Sequence, residues 1–275
     1  MLSRQADSVR LPAAQQFRKE LDSILLAHPD SLYVWDSVRN LSVLTTPDSA
    51  VRLLTWLFPF DNGAYKFYGY LKYRYQADTG WHIQRLNDKH KSIEDPEKEI
   101  LSPGNWYGAL YYDMIVHDST ITLLGWNGYH NQINQKVIDV LSFNASSKPA
   151  FGKKIFGDYK DSARRVILRY ANDAVVSLKF DRILREVKRP SENAFMEGSR
   201  TEQVKQHMIF FNKLDPIQPM FEGDYRYYVP LTAQMQGFYY ENGEWIFVND
   251  LVILSEKVED NQQSSPTFHL FPGSK

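Results

Sequence analysis

Along most of the chain from 40 to 250, hydrophobic and polar residues alternate with a period of two. In the segment 65–75 the odd positions are mainly aromatic or aliphatic, whereas the even positions include Lys66, Lys72 and Arg74. This period is typical of β-strands with one buried face and one solvated face. The connections between such segments are mostly shorter than the dozen or so residues that a parallel crossover needs, so we expect antiparallel pairing.

Asn-Gly pairs punctuate the alternating segments at three places, Asn62-Gly63, Asn127-Gly128 and Asn242-Gly243. Both central positions of a type I′ turn need positive φ, which asparagine and glycine tolerate best. An Asn-Gly pair between two apolar runs is therefore a strong hairpin signal. The pattern predicts a hairpin turn at each of the three pairs.

One segment has the period of a helix instead. From Pro12 to just before Pro29, apolar residues that include Phe17, Leu21 and Leu25 recur at three- and four-residue spacing, with polar residues between them. Such a stripe predicts an amphipathic helix of about four turns. We expect its apolar face to pack on a sheet.

These patterns predict a mainly β protein, an antiparallel meander of hairpins with one N-terminal amphipathic helix. A curved sheet, an open barrel and an irregular propeller-like arrangement all satisfy the pattern. Five tryptophans at spacings of roughly 20 to 25 residues suggest a weak repeat of about two strands, but scattered core positions explain them as well. They are Trp35, Trp56, Trp81, Trp106 and Trp126.

The chain divides into three parts by composition. Residues 1–11 are polar and aperiodic, which predicts a loose leader, and they lack the pattern of a secretory signal. Residues 12–254 are predicted to form a single β-rich domain with an N-terminal helix. Residues 255–275 are predicted to be a disordered polar tail. Within the domain, the polar connection Arg189–Gln206 is the expected place for mobility or for a domain joint.

The composition narrows the classes of function. The 275 residues carry a formal net charge of −1, so no overall positive field favours nucleic acid as a partner. No apolar run approaches the roughly 18 residues of a membrane-spanning helix, so we expect no membrane span. The absence of cysteine excludes disulfides, thiolate zinc sites and cysteine nucleophiles.

Catalytic and cofactor motifs are missing as well. The chain contains no Gly-rich phosphate loop, no Gly-x-Ser-x-Gly elbow and no His-Glu-x-x-His pair. Its seven histidines show no spacing that places two metal ligands on one face of a strand or helix. We therefore expect no cofactor and no metal, although residues far apart in sequence can still assemble a metal site.

Asp139 is the most unusual carboxylate because it shares a strand face with Val137, Leu141 and Phe143. If that face is the core, the carboxylate is buried. It must then be paired with a basic residue or carry a raised pKa, which would suit a general acid or base. Pairing is the favoured interpretation, since buried ion pairs outnumber active sites. The candidate partners are Arg164, Arg165 and Arg169.

Four aromatic residues are candidates for a binding surface. Trp106, Tyr107, Tyr111 and Trp126 lie in the densest aromatic part of the chain. If alternate rings point outward, they can stack on sugars or grip a peptide; core packing is the favoured interpretation. In 66–75 and 164–169, basic residues alternate with aromatic or aliphatic ones, as in single-strand nucleic-acid platforms. Solvated strand faces have the same pattern, and the balanced net charge favours them.

Several of these motifs together resemble a family of uncharacterised β-rich proteins from bacteria with an outer membrane. The resemblance covers roughly residues 40 to 250 and implies an exported or periplasmic protein, with no assigned activity and no catalytic residues. The matching segments are Trp106–Tyr112, Leu123–Trp126 with Gly128, Ile138–Phe143, Phe151–Gly152, and Gly237–Phe238 with Gly243 and Trp245.

The leading hypothesis is a non-catalytic binding or accessory domain of the cell envelope that holds a protein or glycan partner through an aromatic-rich strand surface. The alternatives are a hydrolase whose acidic and histidine residues converge in space, and a purely structural subunit. A deep pocket with a His-carboxylate pair or two close carboxylates would favour the hydrolase, whereas an exposed aromatic patch would favour the binding domain.

Overall fold

The structure is a computed structural model, and it describes residues 6–27, 38, 40–74, 80–161, 163–190 and 199–254. These residues form one α-helix, fourteen strands and three short 3-10 helices. The helix α1 spans Asp7–Ala27. The strands are β1 (Leu41–Thr45), β2 (Val51–Pro59), β3 (Tyr65–Tyr73), β4 (His82–Asn87), β5 (Leu110–His117), β6 (Thr120–His130), β7 (Ile133–Phe143), β8 (Pro149–Phe151), β9 (Val166–Ala171), β10 (Leu178–Pro190), β11 (Ser199–Pro216), β12 (Tyr228–Glu241), β13 (Glu244–Leu251) and β14 (Ile253–Leu254).

The strands form three antiparallel sheets. The first sheet has the order β1-β2-β3-β4, and the middle sheet has the order β5-β6-β7-β8, with β9 also paired to β7. The third sheet has the order β13-β12-β11-β10-β14. Strands that follow one another in sequence are mostly neighbours in space. The predicted mainly β, antiparallel meander with an N-terminal helix is therefore confirmed, and no sheet in the described part of the chain closes into a barrel.

The layers stack in the order helix, first sheet, middle sheet, third sheet. Leu53 of the first sheet and Leu141 of the middle sheet lie in one core. Ile138, on the opposite face of β7, packs with Phe211 and Phe238 of the third sheet. The middle sheet is therefore buried on both faces, which explains the nearly continuous apolar runs in β6 and β7.

The helix begins at Asp7, so residues 7–11 are helical and the expected loose leader is wrong for them. The reason is a tertiary contact that the sequence pattern does not show. The backbone N–H groups of Asp7 and Asp61 each donate to the other residue's carboxylate, both at 2.9 Å. Arg10 also donates to Asp61 at 2.7 Å. The β2–β3 turn thus holds the first turn of α1.

The face of β3 that contains Lys66 and Lys72 was expected to be solvated. Lys66 is exposed as expected, but the expectation is wrong for Tyr70 and Lys72. Leu21 and Leu25 of α1 pack over Tyr70 on that face. Lys72 is only 2% exposed, and its ammonium lies 4.5 Å from the ring centroid of Trp81. The helix therefore forms an additional layer over part of this face of β3.

Two of the three Asn-Gly predictions are confirmed. Asn62-Gly63 lies in the turn between β2 and β3, which pair up to Pro59 opposite Tyr65. Asn242-Gly243 joins β12 to β13, and its residues have φ values of 51° and 87°. These positive values suit the two central positions of a type I′ turn.

The third prediction, at Asn127-Gly128, is wrong because the pair lies inside β6. Asn127 is buried, and its side chain donates to the carbonyl of Gly108 at 2.5 Å. A Cβ at Gly128 would lie 2.5 Å from the Tyr65 ring. This glycine therefore provides space for an aromatic ring. The chain reverses instead between His130 and Ile133, which pair with each other.

The expected mobile connection Arg189–Gln206 is mostly a hairpin. Strands β10 and β11 pair from Leu178 opposite Phe211 to Pro190 opposite Ser199, so 199–206 is strand and the expectation is wrong there. Residues 191–198, the predicted tail 255–275 and Trp35 lie outside the described residues.

The third sheet is strongly curled. Leu251 pairs with Met235 of β12, whereas Ile253, two residues later, pairs with Arg185 of β10. The end of β13 therefore lies close to β10, although β12 and β11 separate these strands in the sheet order. Ile183, Met208 and Leu251 form a small buried cluster with partly buried neighbours from β11, β12 and β13.

Candidate functional site

Asp139 lies on β7 of the middle sheet, on the strand face that packs against the first sheet, and it is fully buried. Its Oδ2 atom is 2.8 Å from Nε of Arg165, which is also fully buried. Its Oδ1 accepts the backbone N–H of Val140 at 2.8 Å. Burial opposes the charge on Arg165, but the Asp139 carboxylate raises the Arg165 pKa overall. The predicted pairing of Asp139 with one of three arginines is confirmed, with Arg165 as the partner.

Three of the predicted binding residues surround this ion pair. Trp106 Nε1 donates to the Tyr111 hydroxyl at 3.2 Å, and that hydroxyl donates to Asp139 Oδ2 at 3.0 Å. The Tyr107 hydroxyl donates to Oε1 of Gln135 at 2.7 Å. Burial raises the pKa of Tyr107 and of Tyr111 well above the usual tyrosine range. Both phenols therefore stay neutral donors.

These residues form a polar network inside the core and leave no aromatic surface for a partner. Trp106 and Tyr111 are 0% exposed and Tyr107 is 1% exposed. Trp126 is half-buried, and its ring packs edge-on against Tyr65 with the centroids 5.2 Å apart. Trp106, Tyr107 and Tyr111 thus pack in the core, as the favoured interpretation has it, because the first sheet covers this face of the middle sheet. The alternative of a binding surface formed by their rings is wrong.

A buried His-carboxylate pair lies in the same core. His90 Nδ1 is 2.6 Å from Oδ1 of Asp88, and both side chains are less than 5% exposed. The other carboxylate oxygen of Asp88 accepts the N–H of Phe67 at 2.9 Å. His90 Nε2 has no hydrogen-bond partner among the described residues. The pair is enclosed by Phe67, Tyr107 and Tyr129, which present ring edges to the imidazole.

A cleft of about 420 Å³ opens between the end of β5 and the third sheet. We call it the histidine cleft. Five of its lining residues have rings, and they come from five different strands of two sheets. The lining residues are His117, Phe180, Lys205, Gln206, His207, Tyr240 and Trp245.

The rings form two stacked pairs around Trp245. The imidazole of His117 stacks on Tyr240 with the centroids 4.0 Å apart, and His207 stacks on Phe180 at 5.8 Å. Trp245 meets His117 edge-on at 5.1 Å and Phe180 edge-on at 6.3 Å. Trp245 is fully buried and donates its indole N–H to Thr122 at 2.9 Å, which fixes the floor of the cleft.

Polar and charged side chains also line the cleft or lie beside it. His207 and Lys205 are exposed on one face of β11, since strand side chains alternate. Arg182 lies opposite His207 in the strand pairing and so shares this face. The carboxylate of Asp118 accepts the Tyr240 hydroxyl at 3.2 Å.

His117 is held neutral by its surroundings. Burial lowers its pKa, the Asp118 carboxylate opposes this shift, and the nearby His207 adds to it. Its Nε2 atom is buried and has no hydrogen-bond partner in the described part of the chain. A neutral imidazole in contact with aromatic rings can stack with a planar ligand, and protonation would add a charge that a nearby anion can neutralise.

A second cavity, of about 450 Å³, lies beside β4. It contains no aromatic ring, and its Arg85 is already bound to Asp22 at 2.9 Å, so it is the weaker candidate. Its lining residues are Gln84, Arg85, Ser102, Pro103, Gly104, Lys148 and Pro149.

Sequence reasoning did not single out the histidine cleft. The segments around Tyr240 and Trp245 are predicted as strands beside an Asn-Gly turn, and the spacing of His117 and His207 predicts no shared site. No local spacing joins these residues because they come from different strands. The usable signal was limited to Tyr240 and Trp245, which the predicted Asn242-Gly243 hairpin already brings together.

Among the described residues, no group of three or more histidine, aspartate or glutamate side chains could hold a metal ion. Within the same residues, no helix is both long and apolar enough to cross a membrane. No family model, curated protein or solved structure matches this chain. The resemblance drawn from the motifs stays a prediction.

Proposed function

We propose that this protein is a non-catalytic binding domain of the bacterial cell envelope that holds a protein or glycan partner through the histidine cleft. The observation that supports this proposal most strongly is that five rings from five strands converge on one open cleft. This surface replaces the one expected around Trp106, and it fits the same role of a strand surface rich in aromatic residues.

The geometry of the cleft supports binding more than catalysis. Rigid stacked rings provide contact area at low cost in conformational entropy, and a volume of about 420 Å³ suits one side chain or one small ring. Asp118, beside the cleft, accepts the Tyr240 hydroxyl, and within the described part of the chain neither His117 nor His207 donates a hydrogen bond to a carboxylate. The cleft thus offers rings for stacking but no histidine that a carboxylate holds in place as a general base.

The test uses indole as a neutral planar probe, with NMR spectra of the histidine ring protons and the tryptophan indole N–H groups. We expect indole to shift the signals of His117 and Trp245. Tyr240→Ala should weaken indole binding about fivefold, because it removes one stacked wall worth about 1 kcal/mol.

A matched control is Tyr227→Ala. Tyr227 stacks on Phe221 with the centroids 4.0 Å apart, the same separation as in the cleft, but it lies near the opposite end of β12. This variant should bind indole like the wild type. If Tyr240→Ala and Tyr227→Ala behave alike, or if indole shifts only signals outside the cleft, the proposal is wrong.

The hydrolase alternative is supported by one observation, the His90–Asp88 pair at 2.6 Å. However, both side chains are buried, and neither of the two cavities described above is lined by them. A chromogenic ester such as p-nitrophenyl acetate would test this alternative. Hydrolysis by the wild type that is lost in His90→Gln, with the fold retained by circular dichroism, would favour the hydrolase over the binding domain.

The envelope location is supported by the motif resemblance alone. Fractionation of cells that make the protein naturally would test it, with detection by antibody. Recovery with periplasmic or envelope markers is the expected result, and recovery with cytoplasmic markers would contradict this part of the proposal.

A further inference from the structure

We propose that Asn242 is a site of spontaneous deamidation, and that its isoaspartyl product distorts the histidine cleft. The site lies in the turn that joins β12 to β13, and both strands line the cleft. Tyr240 and Trp245 pair directly across this hairpin, and one further residue pair separates them from the turn. A change of the main chain at Asn242 therefore lies next to two of the rings that form the cleft.

The reaction needs only the protein and water. The backbone nitrogen of Gly243 attacks Cγ of the Asn242 side chain, and the side-chain amide nitrogen leaves as ammonia with the proton of the Gly243 N–H. Glycine favours this attack because it has no side chain to shield its nitrogen. Water then opens the resulting succinimide ring. Opening at Cγ gives aspartate, whereas opening at the backbone carbonyl carbon gives isoaspartate, in which the main chain runs through Cβ and Cγ.

The turn leaves both reacting groups accessible. Asn242 and Gly243 are exposed. Within the described residues, neither the Asn242 carboxamide nor the Gly243 N–H is hydrogen-bonded. A Cβ built at Gly243 would meet no other atom within 4 Å, so a succinimide ring has room to form. Both groups are thus open to water and are not tied to other parts of the fold.

The other two Asn-Gly pairs are held by the fold. Asn127 is buried, and its amide nitrogen donates to a backbone carbonyl at 2.5 Å. Asn62 is exposed, but its side-chain oxygen accepts the N–H of Ala64 at 3.0 Å. The Gly63 N–H donates to the carbonyl of Phe60 at 3.1 Å. Reaction at either pair must first break these contacts, which requires local opening of the structure.

The isoaspartyl product disturbs the hairpin because it adds one atom to the main chain of a two-residue turn. Asn242 and Gly243 have φ values of 51° and 87°, which suit a type I′ turn. A longer main chain cannot keep this geometry, so the pairing of Tyr240 with Trp245 shifts. The aspartyl product keeps the main chain, and aspartate tolerates positive φ as asparagine does. Only isoaspartate should therefore distort the cleft.

The experiment incubates the full chain at mildly alkaline pH, folded and, in parallel, unfolded in urea. Mass spectrometry of proteolytic peptides measures the replacement of the amide nitrogen by oxygen at each Asn-Gly pair. In the folded protein, Asn242 should react at least about tenfold faster than Asn62 and Asn127, because those two react only after local opening. In urea the three rates should be comparable, since the reacting dipeptide is the same.

The two other pairs are matched controls within one molecule. If Asn62 or Asn127 reacts as fast as Asn242 in the folded protein, the assignment of Asn242 is wrong. If Asn242 reacts fastest by the same factor in urea, the neighbouring sequence and not the fold causes the difference, and the inference is equally overturned.

The effect on the cleft is tested by the NMR signal of the Trp245 indole N–H. The isoaspartyl form, isolated by chromatography, should shift this signal, whereas Asn242→Asp should leave it at the position of the wild type. An unshifted signal in the isoaspartyl form, or an equal shift in Asn242→Asp, would contradict distortion by the longer main chain. Indole binding to unmodified protein tests the proposed function separately, so either proposal can fail alone.

Discussion

At the scale of single residues, the buried pair Asp139 and Arg165 is the most demanding feature of the protein. Both side chains are fully buried, and Arg165 Nη1 also donates to the carbonyl of Pro96. Arg165 further lies 5.5 Å over the Tyr107 ring. Removing two charges from water costs several kcal/mol per ion, so the pair depends on the mutual attraction of its charges and on these additional contacts.

We predict that Asp139→Asn lowers the free energy of unfolding by about 3 to 5 kcal/mol, because it leaves a buried guanidinium without its counterion. Urea unfolding followed by circular dichroism would measure the loss. Asp95→Asn is the control, since Asp95 pairs with Lys98 at 3.9 Å on the exposed surface, and it should cost less than about 0.5 kcal/mol. Similar losses for the two variants would contradict the prediction.

A second prediction concerns the pH dependence of stability. The pKa of His117 is lowered in the folded protein, so the unfolded chain takes up a proton on this side chain at a higher pH than the folded chain does. Stability is therefore fully present above the ordinary histidine pKa of about 6.5 and decreases as the pH falls below it.

His117→Phe should flatten this decrease, because phenylalanine keeps the stacking on Tyr240 and has no proton to gain. Unfolding free energies measured between about pH 8 and about pH 5 would show the difference. His130→Gln, a change at an exposed position in the β6–β7 turn, is the control. A pH slope that His117→Phe leaves unchanged would show that this imidazole does not govern the dependence.

At the scale of elements, α1 acts as a layer of the protein. Its buried residues Leu21 and Leu25 pack on the first sheet, and Phe17 meets Trp56 edge-on at 5.6 Å. Asp22 of the helix also binds Arg85 of β4 at 2.9 Å. Burial and the hydrogen bond to Asp22 raise the pKa of Tyr70, beneath the helix, to about 12. The helix therefore seals this face of the sheet.

We predict that Leu21→Ala costs about 2 to 4 kcal/mol of unfolding free energy, because it opens a cavity between the helix and the first sheet. Leu26→Ala is a matched control within the same helix, since Leu26 is 67% exposed. It should change stability by less than about 0.5 kcal/mol. Thermal and urea unfolding would measure both variants, and equal effects would mean that α1 does not pack as described.

The three Asn-Gly pairs show which turns can be predicted from neighbouring residues alone. Gly63 and Gly243 have positive φ in turns, as their Asn-Gly context indicates. Gly128 has the same context, but it leaves room for the Tyr65 ring, which comes from another sheet. A dipeptide indicates that glycine is needed, yet a turn and a close contact can require the same residue.

At the scale of the whole molecule, the middle sheet joins the two main cores. Strand β7 presents Leu141 to the core shared with the first sheet and Ile138 to the core shared with the third sheet. Both side chains are fully buried. Loss of packing on either face should therefore weaken the same central layer.

We predict that Leu141→Ala and Ile138→Ala shift one common unfolding transition, each by about 2 to 4 kcal/mol. The measurement is urea unfolding followed in parallel by tryptophan fluorescence and far-ultraviolet circular dichroism, and the two signals should coincide in each variant. Two separated transitions, each sensitive to only one of the variants, would show that the two cores unfold independently.

The sequence by itself determined the features that depend on neighbouring residues: the antiparallel β class, the N-terminal helix, the hairpins at Asn62-Gly63 and Asn242-Gly243, and the pairing of a buried Asp139. Strand period, helix period and turn chemistry act over a few residues, so they can be read without a structure.

Only the tertiary structure decided which surfaces remain open. The aromatic motif around Trp106 became core because the first sheet covers it, and part of the wet face predicted for β3 is covered by α1. The histidine cleft exists because the third sheet brings His207 and Tyr240 against His117 at the end of β5. Contacts between distant strands create this site, and no local period encodes which layer will cover which face.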